Sequence, residues 1–545
     1  MFEQPGAPRR GIVSFITASS YLRGPGFAGM RQRMREAFDE LWIIDLEGDS
    51  LGARKTENVF AIQTPVCIAV GARYAEAKRQ PLARVRYVKL EGSRESKLKQ
   101  LAQVRSFDIL SWQDCFEHST EPLLPTQAGD YFSWPAITDI WPWQHSGVEL
   151  KRTWPIAETR EVLEKRWRSL LALPKKQRGE AFRETPDRLV TAQYKALNGE
   201  SKLVPIADLP ADAPAPPVVR YGFRSLDRGW LLLDNRLASR PRPVLWEVQG
   251  EQQLFMSSML TGVPGAGPIV TATAHVPDRH HFSGRGGKDI IPLWRDAAGT
   301  LPNLPAPLLA RVTGCLGITV TATDLFAYTY GLLSAPAYAD TYSGELALPP
   351  PRLPITADAS LFAKVLAAGS KLLWWHTYGE RFVPAAQVKG RVPSGRARSL
   401  KGISTSAATE SFEWVADPAD ADAGVLHVGD GRVGPVSRAV WEFSVSGYEV
   451  LKSWLAFRMS VRSGRKSSPL DEIRPEAWDA TLSQELRELL WVLEETVNMQ
   501  PVLNDLFKQV VAGRVLRADE LPQPTHNERQ APGEDPEASA QQQLI

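Results

Sequence analysis

The chain has no apolar run approaching the roughly 18 residues that cross a bilayer, and no apolar signal segment at its amino terminus. It is read as cytoplasmic, with no membrane partner. Cysteine is scarce: Cys67, Cys115 and Cys315 are the only three in 545 residues. Their wide separation, without CxxC or Cys/His spacing, excludes a disulfide framework and a structural zinc site and leaves three buried thiols. An excess of one charge is missing too, since 64 Lys and Arg against 62 Asp and Glu give a net charge of +2. A polyanion partner would therefore have to find a local basic surface.

Length and composition suit a soluble globular chain of about three to four domains. The 42 prolines and 17 tryptophans point to many irregular loops pinned by aromatics, a texture common on recognition surfaces.

The first hundred residues read as α/β. Ile12 to Thr17 in "GIVSFITASS" is a short β-branched and aromatic run, the pattern of a strand buried on both faces. Such a strand needs neighbours on both sides, and "MFEQPGAPR" before it cannot supply one. A helix follows over Phe27 to Leu41, then strands at Trp42 to Leu46, at "PVCIAVGAR" (65 to 73) and at Arg84 to Leu90. This is the end of a doubly wound sheet without its beginning. Beyond residue 105 the texture is α+β. It has a basic helix over Glu158 to Leu173, a proline-rich spacer at 208 to 217 and strands from Val218 to Pro277. A helical stretch covers Asp324 to Tyr342, and a helix opened by a Thr481–Gln484 capping box runs to Met499.

Several strings carry chemistry. "GPGFAG" (24 to 29) departs from GxGxxG and reads as a turn that opens a helix. Phe60, just ahead of a buried strand, is either core packing or an aromatic face for a planar ligand such as an extruded base. Arg220, Arg224, Arg228, Arg236, Arg240 and Arg242 lie among aromatics, where guanidinium groups bind phosphates or take guanine bidentately. The alternative for any one of them is a salt bridge with Asp227 or Asp234. Lys389, Arg391, Arg396, Arg398 and Lys401 share a loop broken by proline and glycine with no acid near in sequence, and read as phosphate contacts. Gln144 and His145 approach DNA or cap a buried turn. "RHHF" (279 to 282) has no third ligand at metal spacing, so no metal site is assigned.

The ordered succession "GIVSFITASSYL…FAGMRQRMREAFDELWIIDLEG…ENVFAIQTPVCIAV" resembles the later motifs of the catalytic domain of DNA N6-adenine methyltransferases. It is most similar to the single-polypeptide Type ISP restriction–modification enzymes. "DIWPWQHSGVELKRTWPI", "VVRYGFRSLDRGWLLLDNRLASRPRPVLWE", "HVPDRHHFSGRGGKDIIPLW" and "DLFAYTYGLLSAPAYADTY" resemble the target-recognition region of the same family, and "VWEFSVSGYEVLKSWLAFR" its C-terminal end.

The resemblance implies the C-terminal strands of a Rossmann-like methyltransferase sheet over 1–105. A connecting and first recognition segment follows over 106–217, then a target-recognition domain over 218–525 and a disordered tail over 526–545. In the family, a glycine motif for S-adenosylmethionine and an [ND]PP[YF] motif lie upstream, and neither occurs in these 545 residues. No catalytic or cofactor-binding residue is therefore assigned, and S-adenosylmethionine is expected only in a complete enzyme. Phe60 matches the family's base-stacking position, and the cationic strings match its recognition region. The expected partners are double-stranded DNA and an upstream methyltransferase half, with methyl transfer absent without that half. A stand-alone, non-enzymatic specificity subunit and a degenerate gene fragment remain as alternatives.

Overall fold

The computed structural model describes residues 10–50, 56–74, 81–125, 129–282, 287, 289–405, 409–460 and 468–533. The chain divides into two compact units, 1–130 and 131–545, each described here by itself.

The first unit is built on a five-stranded mixed sheet. Its strands are β1 (Gly11–Ala18), β2 (Glu40–Asp45), β3 (Val66–Arg73), β4 (Arg84–Lys89) and β5 (Gln113–Asp114), in the order β1-β3-β2-β4-β5. Only β2 and β4 are parallel; β3 lies antiparallel to both β1 and β2. The doubly wound pattern is thus confined to one pair. The segment from β2 to β3 carries no helix among its described residues and returns as an antiparallel neighbour. The helix α1 (Ala28–Ala37) is shorter than its sequence pattern suggests, because Leu41 belongs to β2, where it is buried. The helix α2 (Arg94–Gln103) starts at the N-cap Ser93, whose side chain accepts from the Ser96 amide.

Strand β1 corrects the expectation of burial on both faces. It pairs with β3 from Gly11↔Arg73 to Ala18↔Val66, and no described strand lies on its other edge. Ile12 and Ile16, on one face, are 75% and 54% exposed, and Phe15 on the other is 60% exposed. β1 is thus an apolar, β-branched strand with one open edge and two bare faces among the described residues.

The second unit has several cores. Strands β6 (Ile156–Ala157), β7 (Val218–Arg224) and β8 (Asp227–Leu232) form one sheet beside α3 (Arg160–Ala172), whose buried stripe includes Leu163, Trp167 and Leu170. The expected spacer at 208 to 217 packs against this cluster instead: Trp167 Nε1 donates to Ala213 O at 3.2 Å. Strands β9 (Phe255–Ser258), β10 (Val270–Thr273) and β11 (Ile290–Pro292) form a buried antiparallel sheet.

The largest core joins α4 (Ala322–Leu333), the two-residue strand β12 (Ile355–Thr356) and α5 (Ala359–His376). Tyr328 stacks on Phe362 at 4.5 Å. The two helices approach at Gly331 and Gly369, where a Cβ on Gly369 would stand 1.9 Å from Ala327 O. Downstream lie a four-stranded sheet of β13 (Arg398–Lys401), β14 (Phe412–Asp417), β15 (Asp420–Val428) and β16 (Gly431–Gly434), then α6 (Val450–Arg458) and α7 (Ala480–Ala512).

Helix α7 is capped by Asp479 rather than by Thr481, and it continues through Pro501 past the expected stop at Met499. Proline removes one helical N–H, but Leu503, Leu506 and Phe507 beyond it are buried in the main core, which outweighs that loss. Residues 526–533, read from composition as the start of a disordered tail, are held in place. Thr525 and Glu528 form a capping box, Arg529 Nη2 donates to Asp139 Oδ1 at 2.7 Å, and Ala531 is buried. Residues 534–545 lie outside the described part.

His376 ties α4, α5 and α7 together: Nδ1 lies 2.5 Å from Tyr330 Oη and Nε2 2.9 Å from Thr496 Oγ1. Burial holds its pKa at about 3, and those of His275 and His281 at about 3 as well. The unfolded chain therefore binds protons on these rings below pH 6.5 while the folded chain does not, and stability falls as pH falls through that window. Asp289, pushed up to about 6 by burial, acts in the opposite sense. The three buried rings outnumber Asp289, so stability is expected to fall as pH drops from about 6 toward 4. Urea titrations across that range measure it, and a flat profile contradicts it.

Candidate nucleic-acid interface

Phe60 is set out from the first unit by a pinned loop. Asn58 is buried; its Nδ2 donates to Gly48 O at 3.1 Å and Thr64 O at 2.8 Å, while its Oδ1 accepts from the Phe60 amide at 2.9 Å. Gly48 sits at φ 100°, and a Cβ there would meet Asn58 at 2.5 Å, so the glycine admits the asparagine. Lys97 of α2 is fully buried and donates to Leu46 O and Glu57 O, both at 2.8 Å, tying the end of β2 to the start of the loop. The Phe60 ring is left 44% exposed, next to exposed Ile62. Asn58 and Lys97 were not singled out in the sequence, though an Asx turn two residues before an aromatic is a legible local signal.

The first arginine set forms a half-buried layer. Arg220 Nη2 meets Glu485 Oε1 at 2.6 Å over the Trp230 ring, and Arg228 Nη2 meets Glu488 Oε2 at 2.7 Å over Tyr378. Arg224 Nη1 lies 2.8 Å from Asp278 Oδ1, and Arg236 is bidentate on Asp234 with Nη2 at 2.6 Å. Asp227 pairs with none of the six. It takes both nitrogens of Arg458 at 2.8 and 3.2 Å, with Glu485 Oε2 3.9 Å from the same fully buried guanidinium. Burial pulls the Arg220 pKa below its ordinary value, and Glu485 pulls it back up. Arg240 is more open and faces Glu149 at 3.4 Å, a carboxylate it shares with Arg279 at 2.6 Å. Arg242, at φ 54°, keeps a buried Nε without a hydrogen-bond partner.

The second cationic set is more exposed, but distant acids reach it. Lys389 faces Glu251 at 3.4 Å, Lys401 faces Asp430 at 3.7 Å, and Arg396 pairs with Glu494 of α7. Arg391 and Arg398 have no ion-pair partner among the described residues. Gln144 caps a turn by donating to Thr138 O at 3.3 Å and to Trp141 O, and His145 Nδ1 lies 2.7 Å from Ser146 O. His281 of "RHHF" is buried with Nδ1 2.9 Å from Ser257 Oγ; Ser283 to Gly286 of the following glycine-rich string lie outside the described residues.

The glycine string weighed in the sequence as a nucleotide loop does not fit S-adenosylmethionine. Gly24 to Gly29 opens α1, and two of its amides are used internally: Gly24 N donates to Ser20 O at 2.9 Å and Phe27 N to Gly24 O at 3.1 Å.

The profile of the Type ISP C-terminal specificity domain matches residues 139–490. No curated protein matches the chain. Among solved structures the chain is similar to the DrdV–DNA complex, with a TM-score of 0.63 and 18% identity over 91% of this chain and 50% of that one. It is also similar to the ATP-dependent Type ISP restriction–modification enzyme LlaBIII bound to DNA, with a TM-score of 0.62 and 16% identity over 95% and 33%. A nuclease-deletion mutant of the Type ISP enzyme LlaGI in complex with a DNA substrate mimic gives a TM-score of 0.59 and 16% identity over 92% and 39%. The chain thus spans half or less of each of these structures, and at such identities the likeness establishes the fold.

Two substitutions separate structural from presented residues. Arg458→Met leaves Asp227 buried without its cation, while Glu485 keeps Arg220, and is expected to cost about 3–5 kcal/mol, whereas Phe60→Ala should change stability by less than about 0.5 kcal/mol. Chemical denaturation measures both.

Proposed function

The chain belongs to the Type ISP C-terminal specificity domain family, and we propose on that premise that it recognises duplex DNA as the specificity portion of a Type ISP-like restriction–modification enzyme. The profile match over 139–490 carries this reading. The exposed cations, chiefly Arg240, Lys389, Arg391, Arg398 and Lys401, supply phosphate contacts. Arg220, Arg224, Arg228 and Arg236, each ion-paired, hold the strands that present the surface. Arg242 and Arg396 stand between the two roles.

The enzyme so assembled is an adenine-specific methyltransferase. Transfer to the adenine amino group is governed by placing that nitrogen in line with the sulfonium methyl of S-adenosylmethionine, so geometry supplies most of the rate. The [ND]PP[YF] turn that would place it is not among these 545 residues. Methylation therefore requires the segment that brings this turn and the cofactor, while Phe60 stacks the extruded base. The open edge and bare faces of β1 support this division of labour, since a strand of this composition is completed by an adjoining sheet.

Duplex binding by the purified chain, followed across a salt series, tests the first part. A log–log slope of about −0.9 for each phosphate contact is expected. Methyl transfer from labelled S-adenosylmethionine, with and without a co-expressed fragment bearing the missing motifs, tests the second. Methylation is expected only with the fragment, and Phe60→Ala should lower it while leaving duplex binding intact. Methylation by the chain alone overturns the split reading, and binding without any methylation favours a stand-alone specificity subunit.

A further inference from the structure

We infer that the outer face of the β13–β16 sheet contacts the phosphate backbone of duplex DNA, with Arg432 and Arg398 as its principal groups. The inference rests on the DNA reading above and adds a surface and a residue to it.

Strand register builds the face. The sheet runs in the order β13-β16-β15-β14, and Lys401 pairs with Arg432, Arg432 with His427, and His427 with Glu413. Residues opposite one another across a sheet project to the same side, so these four form one row. Arg398 and Val415 stand two residues further along the same side, with Arg398 opposite Gly434 and Val415 opposite Val425. Leu426, Val428 and Val433 alternate to the other side and are buried. One face of the sheet is therefore committed to the core, and the other is open and cationic.

The open face is short of counter-charge. Arg398 and Arg432 are exposed, and neither has an ion-pair or hydrogen-bond partner among the described residues. Lys401 faces Asp430 at 3.7 Å with both side chains more than half exposed, a pairing that solvent screens to little. Glu413, the one carboxylate of the row, stands on the far strand. The acids Asp417, Asp420 and Asp422 gather at the β14–β15 turn, at the opposite end of β15 from His427. Asp430, the partner of Lys401, is the acid of the β15–β16 turn, which leaves Arg398 and Arg432 as the cations of this face without an ion-pair partner among the described residues.

A polyanion fits this arrangement. Strand spacing of about 4.8 Å, with two residues of rise, sets the Arg432 and Arg398 Cα atoms about 8 Å apart. Two guanidinium forks at that separation can each meet a phosphate, and strands are among the elements that dock into a DNA groove. Only Arg432, on a strand thirty-odd positions beyond the sequence-marked loop, was hidden: its neighbours in sequence are glycines and valine, and pairing with Lys401 alone gives it a role.

The test uses the full chain and a fluorescein-labelled, mixed-sequence duplex, followed by anisotropy from about 50 to 200 mM salt. The Arg398→Ala/Arg432→Ala double variant is expected to shrink the magnitude of the log–log slope by about 1.8, so that its salt-induced loss of affinity over this range is about tenfold smaller. Its weakening should be equal on unrelated sequences. Arg432→Lys, which keeps the charge, should retain the slope lost by Arg432→Ala. An unchanged slope in the double variant overturns the inference while leaving the DNA reading standing. Equal loss in Arg432→Lys and Arg432→Ala assigns the residue a structural role and overturns it too. Absence of binding by the unsubstituted chain is a failure of the DNA reading itself.

Discussion

Arginines turned inward against backbone carbonyls are the interaction on which the rest of this structure depends. Most described strands run for eight residues or fewer, and a chain with 42 prolines leaves many carbonyl oxygens at the ends of short elements with no ladder partner. A guanidinium carries five donors in a fixed fork and keeps its charge when buried, so one side chain satisfies several such oxygens. Arg35 takes the carbonyls of Phe116, Ser119, Glu121 and Pro122, which holds the segment after β5 to α1 and carries the first unit beyond residue 105. Arg178 does the same for Leu171, Leu173, Ile206 and Leu209, and Arg152 for Leu150, Arg183 and Leu237.

That use of arginine changes what the near-neutral charge means. Many of the cations are internal fasteners, and others are matched to carboxylates far along the chain, so fewer are left to attract a polyanion than the sequence suggests. The electrostatic surface is accordingly made of local patches, and specificity built on it depends on where the scaffold places a few open side chains. Phe60 follows the same logic with an apolar group: a buried asparagine and a buried lysine hold the loop while the ring itself stays outside.

Local signals were legible in the sequence. The runs at 12 to 17, 42 to 46, 65 to 73 and 84 to 90 all became strands, because β-branched clusters bounded by loop residues need little context. Phe60 was legible for its place before β3. What stayed hidden depends on partners far along the chain. For Arg220 and Arg228 the sequence offered only Asp227 and Asp234 as partners, because Glu485 and Glu488 lie 265 and 260 residues away. The cationic loop looked unopposed because Glu494 reaches it from α7. The helix was expected to stop at Met499 because the apolar residues that carry it past Pro501 count only once the core exists. Strand direction was equally out of reach, since a run of valines and isoleucines does not say whether its neighbour is parallel.

The span between those ion-pair partners also sets an order of events during synthesis. At ribosomal rates of about 5–20 residues per second, the 265 positions from Arg220 to Glu485 take roughly 13–53 s to emerge. Throughout that interval β7 and β8 exist without the carboxylates of α7, and for most of it Asp227 exists without Arg458. Half of a charged layer is then on display, with its aromatic neighbours uncovered, for far longer than a hairpin needs to form. The β7–β8 layer consequently cannot be completed until the last long helix has been made.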